Sequence, residues 1–207
     1  MNHLKSVTLL FVLFPVLIAA QDGWQLDKPH SFIEFEVEHI VVLKKVEKMD
    51  GSYTLGVTKG KFKEFDISLK TTDGDFLKSK IEAKIDVNSV DTGNELRDAH
   101  LESESFFYAK EFPEIKFNSK SIDLYGKDIY KITGELTIRG VTEEVELDVD
   151  FNSRSQNLAK SDYLSISMEG ILNRYDFGMD WNVVMEGGGF RVSSNVRFNI
   201  QANFIRE

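Results

Sequence analysis

The residues best suited to chemistry lie together in one charged stretch in the middle of the chain. Arg97, Asp98 and His100 place a cation, an acid and a base within four positions. They belong to a segment from Ser89 to Tyr108 whose mixture of charged and apolar residues predicts one or two short helices. Such a cluster could act as an acid–base site, hold the polar group of a ligand, or form a salt-bridged plug over one end of a sheet. Because no nucleophile accompanies it, the structural interpretation is favoured.

Other residues that support catalysis or metal binding are scarce. The 207 residues include no cysteine, which excludes thiolate catalysis, disulfide bonds and cysteine-ligated zinc. The histidines form no His-x-His or His-Glu-x-x-His pattern, and no Gly-x-Ser-x-Gly nucleophile motif occurs. Residues 187–189 are three glycines that precede a predicted strand and lack the lysine of a phosphate-binding loop, which favours a flexible hairpin or a gate. The sequence therefore predicts no catalytic residue, no metal and no cofactor.

The first twenty residues have the composition of an export signal. Lys5 gives a small positive region, and residues 6–20 are uncharged, mostly Val, Leu, Phe and Ile, and end in two alanines. This run is too short for a membrane-spanning helix. We therefore expect residues 1–20 to be a cleaved signal peptide and residues 21–207 to be the folded domain, which is exported to the periplasm or secreted.

The charge balance limits the partners of the chain. Lys and Arg number 25 against 34 Asp and Glu, so the formal net charge is −9. An acidic surface repels nucleic-acid phosphates, whose binding needs clustered Lys and Arg, and it also repels anionic membrane surfaces. We expect no nucleic-acid partner. We also expect no transmembrane segment, because no later stretch has a long enough apolar run.

Hydrophobic residues after the signal region recur with a period of two, which indicates β-strands rather than helices. Ile33, Phe35 and Val37, for example, alternate with glutamates, so one face of that strand is dry and the other is wet. The same alternation predicts eight strands, around residues 33–37, 65–69, 81–87, 115–117, 130–138, 145–151, 164–168 and 190–200. Turn residues predict chain reversals at Asp73-Gly74, at 126–128 and at Arg139-Gly140, and a compact turn at 173–179.

Eight antiparallel strands with one dry face can pack as two sheets or close into one barrel. A barrel of about eight strands has an interior that its own side chains fill or that holds one small ligand. The periodicity favours the barrel but leaves both architectures open. The 16 Phe residues, many of them on dry faces, are compatible with an ordinary core and with the lining of a pocket.

Several motifs, in this order along the chain, resemble those of one known family. They are Trp24–Asp27 with His30-Ser31, Phe35 and His39, then Asp86–Asn94, Arg97–Leu101, Phe106-Phe107, Phe112–Phe117, Gly134–Thr142 and Arg174–Met179. The chain is similar to YceI-like proteins over essentially all of its length after the signal region. The resemblance implies an all-β fold, a single eight-stranded antiparallel lipocalin-like barrel with one or two short helices. It further implies an isoprenoid lipid or quinone ligand in the bore, periplasmic export, homodimers and no enzymatic activity.

We therefore interpret the chain as an exported carrier or sequestering protein for a long apolar isoprenoid lipid of polyprenyl or quinone type. The strand alternation assigns twelve side chains to the barrel lining, namely Phe35, Val37, Ile67, Ile81, Ile85, Phe117, Ile132, Leu136, Leu147, Val149, Val192 and Phe198. Two other functions stay open. One is an enzyme of lipid or quinone metabolism that uses Arg97, Asp98 and His100, and the other is a self-filled barrel that acts as a stress or interaction protein.

One segment departs from the family pattern. Between His39 and Gly60 the chain has more residues than YceI-like proteins usually have, with Asp50-Gly51 as a turn signal. We expect an extra or lengthened hairpin there, which would reshape one mouth of the barrel.

Overall fold

The computed structural model describes residues 23–46, 49–126, 129–152, 162–182 and 190–206. The predicted signal peptide and the glycines at 187–189 lie outside these residues. The described strands and helix are β1 Trp24–Leu26, β2 Phe32–Val46, β3 Met49–Phe62, β4 Phe65–Thr72, β5 Asp75–Asp86, β6 Val90–Asp91, α1 Glu95–Glu102, β7 Glu114–Leu124, β8 Ile129–Ile138, β9 Val141–Asn152, β10 Tyr163–Asn173 and β11 Phe190–Arg206. Short 3-10 turns occupy Lys28–His30, Val87–Ser89 and Arg174–Phe177. No helix of the described residues is long and apolar enough to cross a bilayer.

All described strands belong to one antiparallel sheet that curls into a half-barrel. Its order is β4-β5-β7-β8-β9-β10-β11-β2-β3-β6, and β1 pairs with β11 beside this path. The all-β class, the short helix and each of the eight predicted strands are confirmed. The predicted number of strands is corrected, because β1, β3 and β6 join the sheet as well.

The two ends of the strand order do not pair with each other within the described residues, so the hydrogen-bonded ladder stays open. The connection between β3 and β4 shows why. The N–H of Lys63 donates to the carbonyl of Ser89 at 3.1 Å, and the carbonyl of Glu64 accepts from Asp86 at 2.9 Å. Backbone groups of the connection between β3 and β4 are thus bonded to Asp86, the last residue of β5, and to the 3-10 turn that follows it.

Alternation along each strand separates the bore from the solvent. In β7, Ile115, Phe117 and Ser119 are buried, whereas the residues between them are exposed. Two of the predicted hairpin turns are confirmed: Asp73-Gly74 and Arg139-Gly140 both have two consecutive residues with φ between 52° and 75°. Two left-handed residues in a row are typical of the tight turn that matches the twist of a hairpin.

The insertion between His39 and Gly60 forms one long hairpin of β2 and β3. Pairing runs from Ile33 opposite Phe62 to Val46 opposite Met49. The predicted turn at Asp50-Gly51 is wrong, because Gly51 lies within β3 and pairs with Leu43. Pairing of the two strands extends beyond that point to Val46 and Met49, with register shifts after His39 and after Leu43.

One end of the bore is filled by the protein's own aromatic side chains. The ring of Phe76 lies 4.5 Å from that of Phe151 and 5.4 Å from that of Tyr130, measured between centroids. Ile132 and Val149 pack at the same end with 0% and 1% of their surface exposed. Side chains from β5, β8 and β9 therefore form a solid core that closes this end.

Candidate ligand-binding cavity

A cavity of about 380 Å³ lies in the bore between the aromatic end and the segment that contains α1. Its size falls within the range of small-molecule sites. Most lining residues are aliphatic or aromatic. They come from strands throughout the curled sheet, from α1 and the segment after it, and from the segment after β10. Such a lining can bind an apolar molecule by removing its surface from water.

Ten of the twelve side chains assigned to the lining from the sequence lie on the wall of this cavity, namely Phe35, Val37, Ile67, Ile81, Ile85, Phe117, Leu136, Leu147, Val192 and Phe198. Ile132 and Val149 do not, and their assignment is corrected. Both point inward, but at the end where the aromatic side chains fill the bore; Val149 pairs directly with Tyr130. The role of the ten residues in binding a ligand stays a prediction.

Other lining residues were missed by the sequence analysis. Phe62 and Met168 lie on inward faces of β3 and β10, where strict alternation could have identified them. Phe106, Phe107 and Trp181 come from irregular segments, for which no period exists to assign a face. The ring of Phe107 packs against Phe62 with a centroid distance of 5.8 Å, which joins this segment to the sheet.

Three phenylalanines of the wall place the far end of their rings against glycines on neighbouring strands. A Cβ atom on Gly60 would stand 2.3 Å from the ring of Phe35, and one on Gly170 would stand 2.4 Å from that of Phe198. Gly134 is covered in the same way by Phe117. Because the glycines have no side chain, the rings can occupy the wall instead of the bore. These pairs keep the cavity open in spite of its bulky lining.

The polar residues of the lining come from α1, from the 3-10 turn after β10, and from β2 and β3. Arg97 and His100, three residues apart on one face of the helix, both line the cavity. The Arg97 guanidinium donates from Nε to Thr92 Oγ1 at 2.8 Å and from Nη2 to the Thr92 carbonyl at 2.9 Å. Asp98 is not part of the lining; its Oδ1 accepts from the N–H and the hydroxyl of Thr92. The structure thus brings Arg97 and His100 into the cavity and leaves Asp98 outside it.

A second arginine lines the same end and is almost completely buried. Arg174 is 3% exposed, and its guanidinium donates to the carbonyls of Ser193, Val192 and Met179. Burial lowers the pKa of Arg174 from its usual value. The guanidinium still carries its charge at neutral pH, since arginine remains protonated in proteins. The sequence analysis included this residue in a family motif but gave it no role.

Aromatic rings connect His100 on α1 with Arg174. The His100 ring meets the rings of Phe106 and Trp181 edge to face, with centroid distances of 5.0 and 4.7 Å. The guanidinium carbon of Arg174 lies 5.9 Å from the centroid of Phe106. His100, Phe106, Trp181 and Arg174 therefore form one contiguous cluster.

Arg139 holds this cluster against the sheet. Its guanidinium donates to the carbonyl of Gly178 and, at 2.9 Å, to that of Glu104, which links the β8–β9 turn to the segments after β10 and α1. We expect Arg139→Ala to lower the free energy of unfolding by about 1–3 kcal/mol, because two charge-assisted hydrogen bonds are lost. Alanine keeps a Cβ, so the strain at φ 52° is unchanged. Urea denaturation measures the effect.

The matched control for Arg139→Ala is Lys116→Ala. Lys116 makes an exposed ion pair with Glu114 at 3.0 Å, and such pairs contribute about 0–1 kcal/mol. Equal destabilisation by the two substitutions would contradict the tethering role of Arg139.

The amino-acid sequence is similar to those of known proteins. The family description "YceI-like domain" matches residues 24–204. A Staphylococcus aureus (strain N315) protein named as a UPF0312 protein is 35% identical over 183 residues, which cover 88% of this chain and 96% of that protein.

Solved structures share the fold at lower identity. BcnA of Burkholderia cenocepacia has a TM-score of 0.66 at 21% identity, with 86% of this chain and 99% of that chain covered. A Campylobacter jejuni YceI protein has a TM-score of 0.58 at 24% identity, with 86% and 96% covered. A polyisoprenoid binding domain from Saccharophagus degradans has a TM-score of 0.61 at 14% identity, with 89% and 99% covered. These likenesses concern the curled antiparallel sheet.

Proposed function

This chain belongs to the YceI-like family, and on that premise we propose that it binds a long apolar isoprenoid lipid in its cavity and carries or sequesters it. The observation that carries the proposal is the apolar cavity of about 380 Å³ inside the curled sheet. The structural neighbour named as a polyisoprenoid binding domain supports the same class of ligand. A polyprenyl chain and the tail of an isoprenoid quinone both fit this description.

Burial of apolar surface is sufficient to drive such binding. Each CH₂ group moved from water into an apolar environment contributes about 0.8 kcal/mol. The wall offers aromatic and aliphatic surfaces from β2, β5, β7, β8 and β11, so a flexible hydrocarbon chain finds contacts on all sides of the cavity. No catalytic group is needed for this function.

The two alternative functions each meet an unfavourable observation. A self-filled barrel would leave no room, whereas here the side chains fill the end around Phe76 and leave a cavity beside it. An enzyme that uses Arg97, Asp98 and His100 would need its acid in the cavity. Asp98 instead accepts two hydrogen bonds from Thr92. Both observations favour a binding protein.

The proposal includes export. The charged start, apolar run and paired alanines of residues 1–20 support a cleaved signal peptide and a location in the periplasm or outside the cell. The homodimer that the family resemblance implies also stays a prediction.

Mass spectrometry of the natively purified protein tests the function. We expect an organic extract to contain one class of isoprenoid lipid in near-stoichiometric amount, and the intact protein to lack residues 1–20. An extract that contains only the general membrane lipids of the host, in traces, would contradict lipid carriage. An intact mass that includes residues 1–20 would contradict export alone.

A further inference from the structure

The hairpin of β2 and β3 extends beyond the strands that flank it. The part of its two arms beyond His39 and Gly56 is called here the distal hairpin. On one side, pairing between β11 and β2 ends where Phe190 lies opposite Val41. On the other side, β6 pairs only with the last two residues of β3. From the pair of Val42 and Ser52 outward, the described part of the chain provides no third strand.

A ribbon of only two strands needs additional burial. An isolated two-stranded hairpin is at best marginally stable in water, because it has no sheet or helix against which to bury an apolar face. The described strands form a single layer, and α1 lines the cavity on the inside of that layer. No described element therefore covers the outer face of the distal hairpin.

The outer face of β2 changes from acidic to apolar as the strand leaves the sheet. Glu36 and Glu38 alternate with cavity-lining residues and so occupy the outer face. The next two positions in step with these glutamates are Ile40 and Val42. Opposite Glu38 on β3, Val57 has 47% of its surface exposed. An apolar surface thus begins at the base of the distal hairpin.

The residues between these positions are apolar as well. Val41 and Leu43 alternate with Ile40 and Val42, so β2 has four consecutive aliphatic residues here. Continuous apolar runs are typical of strands that are covered on both faces, whereas strands with one wet face alternate. The earlier part of β2 alternates strictly and the distal part does not. This change indicates that the distal hairpin has a second apolar environment outside the sheet.

The charges of the distal hairpin differ from those of the whole chain. Its β2 arm carries Lys44 and Lys45 and no acidic residue, and the described part of its β3 arm has one acid, Asp50. The chain as a whole has a formal net charge of −9. Apolar residues flanked by lysines are suited to a membrane surface, because the aliphatic groups enter the acyl boundary and the ammonium groups stay among the lipid phosphates.

The base of the distal hairpin is continuous with the cavity wall. His39 and Val192 pair with each other there, and both line the cavity. The solid aromatic end lies at the other end of β11, where Ala202 pairs with Ile166 and Ile166 pairs with Phe151. The distal hairpin therefore extends from the end of the bore that the aromatic core does not fill.

We infer that the distal hairpin docks the protein on a phospholipid bilayer, with its aliphatic residues in the interfacial region and Lys44 and Lys45 among the headgroup phosphates. Docking turns the unfilled end of the bore toward the membrane. This inference rests on the proposed function, because it identifies the partner surface from which the cavity receives its lipid.

Vesicle flotation of the full mature protein tests the inference. We expect the protein to float with vesicles of phosphatidylethanolamine and phosphatidylglycerol, and Val42→Asp to weaken this binding by about tenfold or more, because a carboxylate replaces an aliphatic group in the interface. Leu77→Asp is the matched control. Leu77 is 43% exposed beside Phe76 at the filled end, so the same change there should leave vesicle binding unaltered.

A second variant tests the charge contribution. Lys44→Gln combined with Lys45→Gln should weaken binding to vesicles that contain phosphatidylglycerol by about tenfold, since each lysine near an anionic surface contributes to attraction. Binding to phosphatidylcholine alone should change by less than about twofold. Lys80→Gln combined with Lys84→Gln is the control, because both lysines are exposed on β5. If Val42→Asp does not fold, this comparison decides alone.

Farnesol affinity measured without vesicles separates the two proposals, and it should be the same in all folded variants. Absence of flotation by the unmodified protein, or equal flotation of folded Val42→Asp, would overturn membrane docking. A dimer that Val42→Asp converts into monomers in analytical ultracentrifugation would also overturn it and assign the distal hairpin to a second copy of the chain. Absence of farnesol binding by the unmodified protein would instead contradict the lipid-binding function.

Discussion

Leu136→Asp should yield a folded protein that retains no lipid through purification. Leu136 is partly buried on β8 and lines the cavity. Aspartate at this position places a carboxylate in an apolar bore, where an unpaired charge costs several kcal/mol unless it is protonated or hydrated. Water drawn to the carboxylate competes with the lipid for the cavity. We expect affinity for a prenyl ligand to fall by about 100-fold or more.

Thr133→Asp is the control for this substitution. Thr133 lies on the same strand, and alternation places it on the outer face, next to the ion pair of Lys131 and Glu146. The Thr133→Asp substitution adds the same charge to β8 without changing the bore, so the lipid content of this variant should equal that of the unmodified protein. Circular dichroism and thermal unfolding establish that both variants are folded. Full lipid retention by folded Leu136→Asp would show that the lipid does not occupy this cavity.

Gly170→Ala should narrow the cavity from within. The new Cβ would stand 2.4 Å from the ring of Phe198, a separation that van der Waals contact does not allow. The nearest atoms belong to the far end of the Phe198 side chain, so the ring should leave the wall and enter the bore. We expect long prenyl ligands to bind about tenfold more weakly, with a smaller loss for short ones. Titrations with ligands of increasing tail length measure this dependence.

Two further variants separate steric blockage from a general effect of the substitution. Gly56→Ala introduces the same methyl group on β3 where no atom lies within 4 Å, so binding should be unchanged. Adding Phe198→Leu to Gly170→Ala removes the displaced ring and should restore affinity. Gly134 is less suitable, because a Cβ there also approaches the backbone carbonyl of Asn118 at 2.7 Å. No rescue by Phe198→Leu would mean that the ring does not control the volume of the bore.

Much of the fold could be predicted from alternation alone. A strand such as β7, with its strict pattern of inward and outward residues, has the same two faces in any antiparallel sheet. The eight strands and ten of the wall residues follow from this local rule, and the turn at Asp73-Gly74 follows from its residue types. Alternation cannot say how far along the bore a residue lies. For that reason Ile132 and Val149 were assigned to the lining although they pack in the filled end.

The set of polar residues that line the cavity depends on contacts between distant segments, which hydrophobic periodicity cannot predict. His100 and Arg174 are far apart in sequence and are brought into one cluster by Phe106 and Trp181. Asp98 and Arg97 both contact the Thr92 hydroxyl, but only Arg97 also lines the cavity. Their proximity in sequence suggested that Arg97, Asp98 and His100 form one site. In the tertiary structure Arg97 and His100 line the cavity, whereas the Asp98 carboxylate accepts hydrogen bonds from Thr92 and is not part of the lining.

The sequence by itself thus determined the class of fold, the position of nearly every long strand and which face of each strand is dry, because these properties depend on local periodicity. Only the tertiary structure decided that the sheet stays open between β3 and β4, that one end of the bore is solid and that the other holds two arginines beside an open cavity. These properties depend on which distant side chains meet. Packing between residues far apart along the chain settles them.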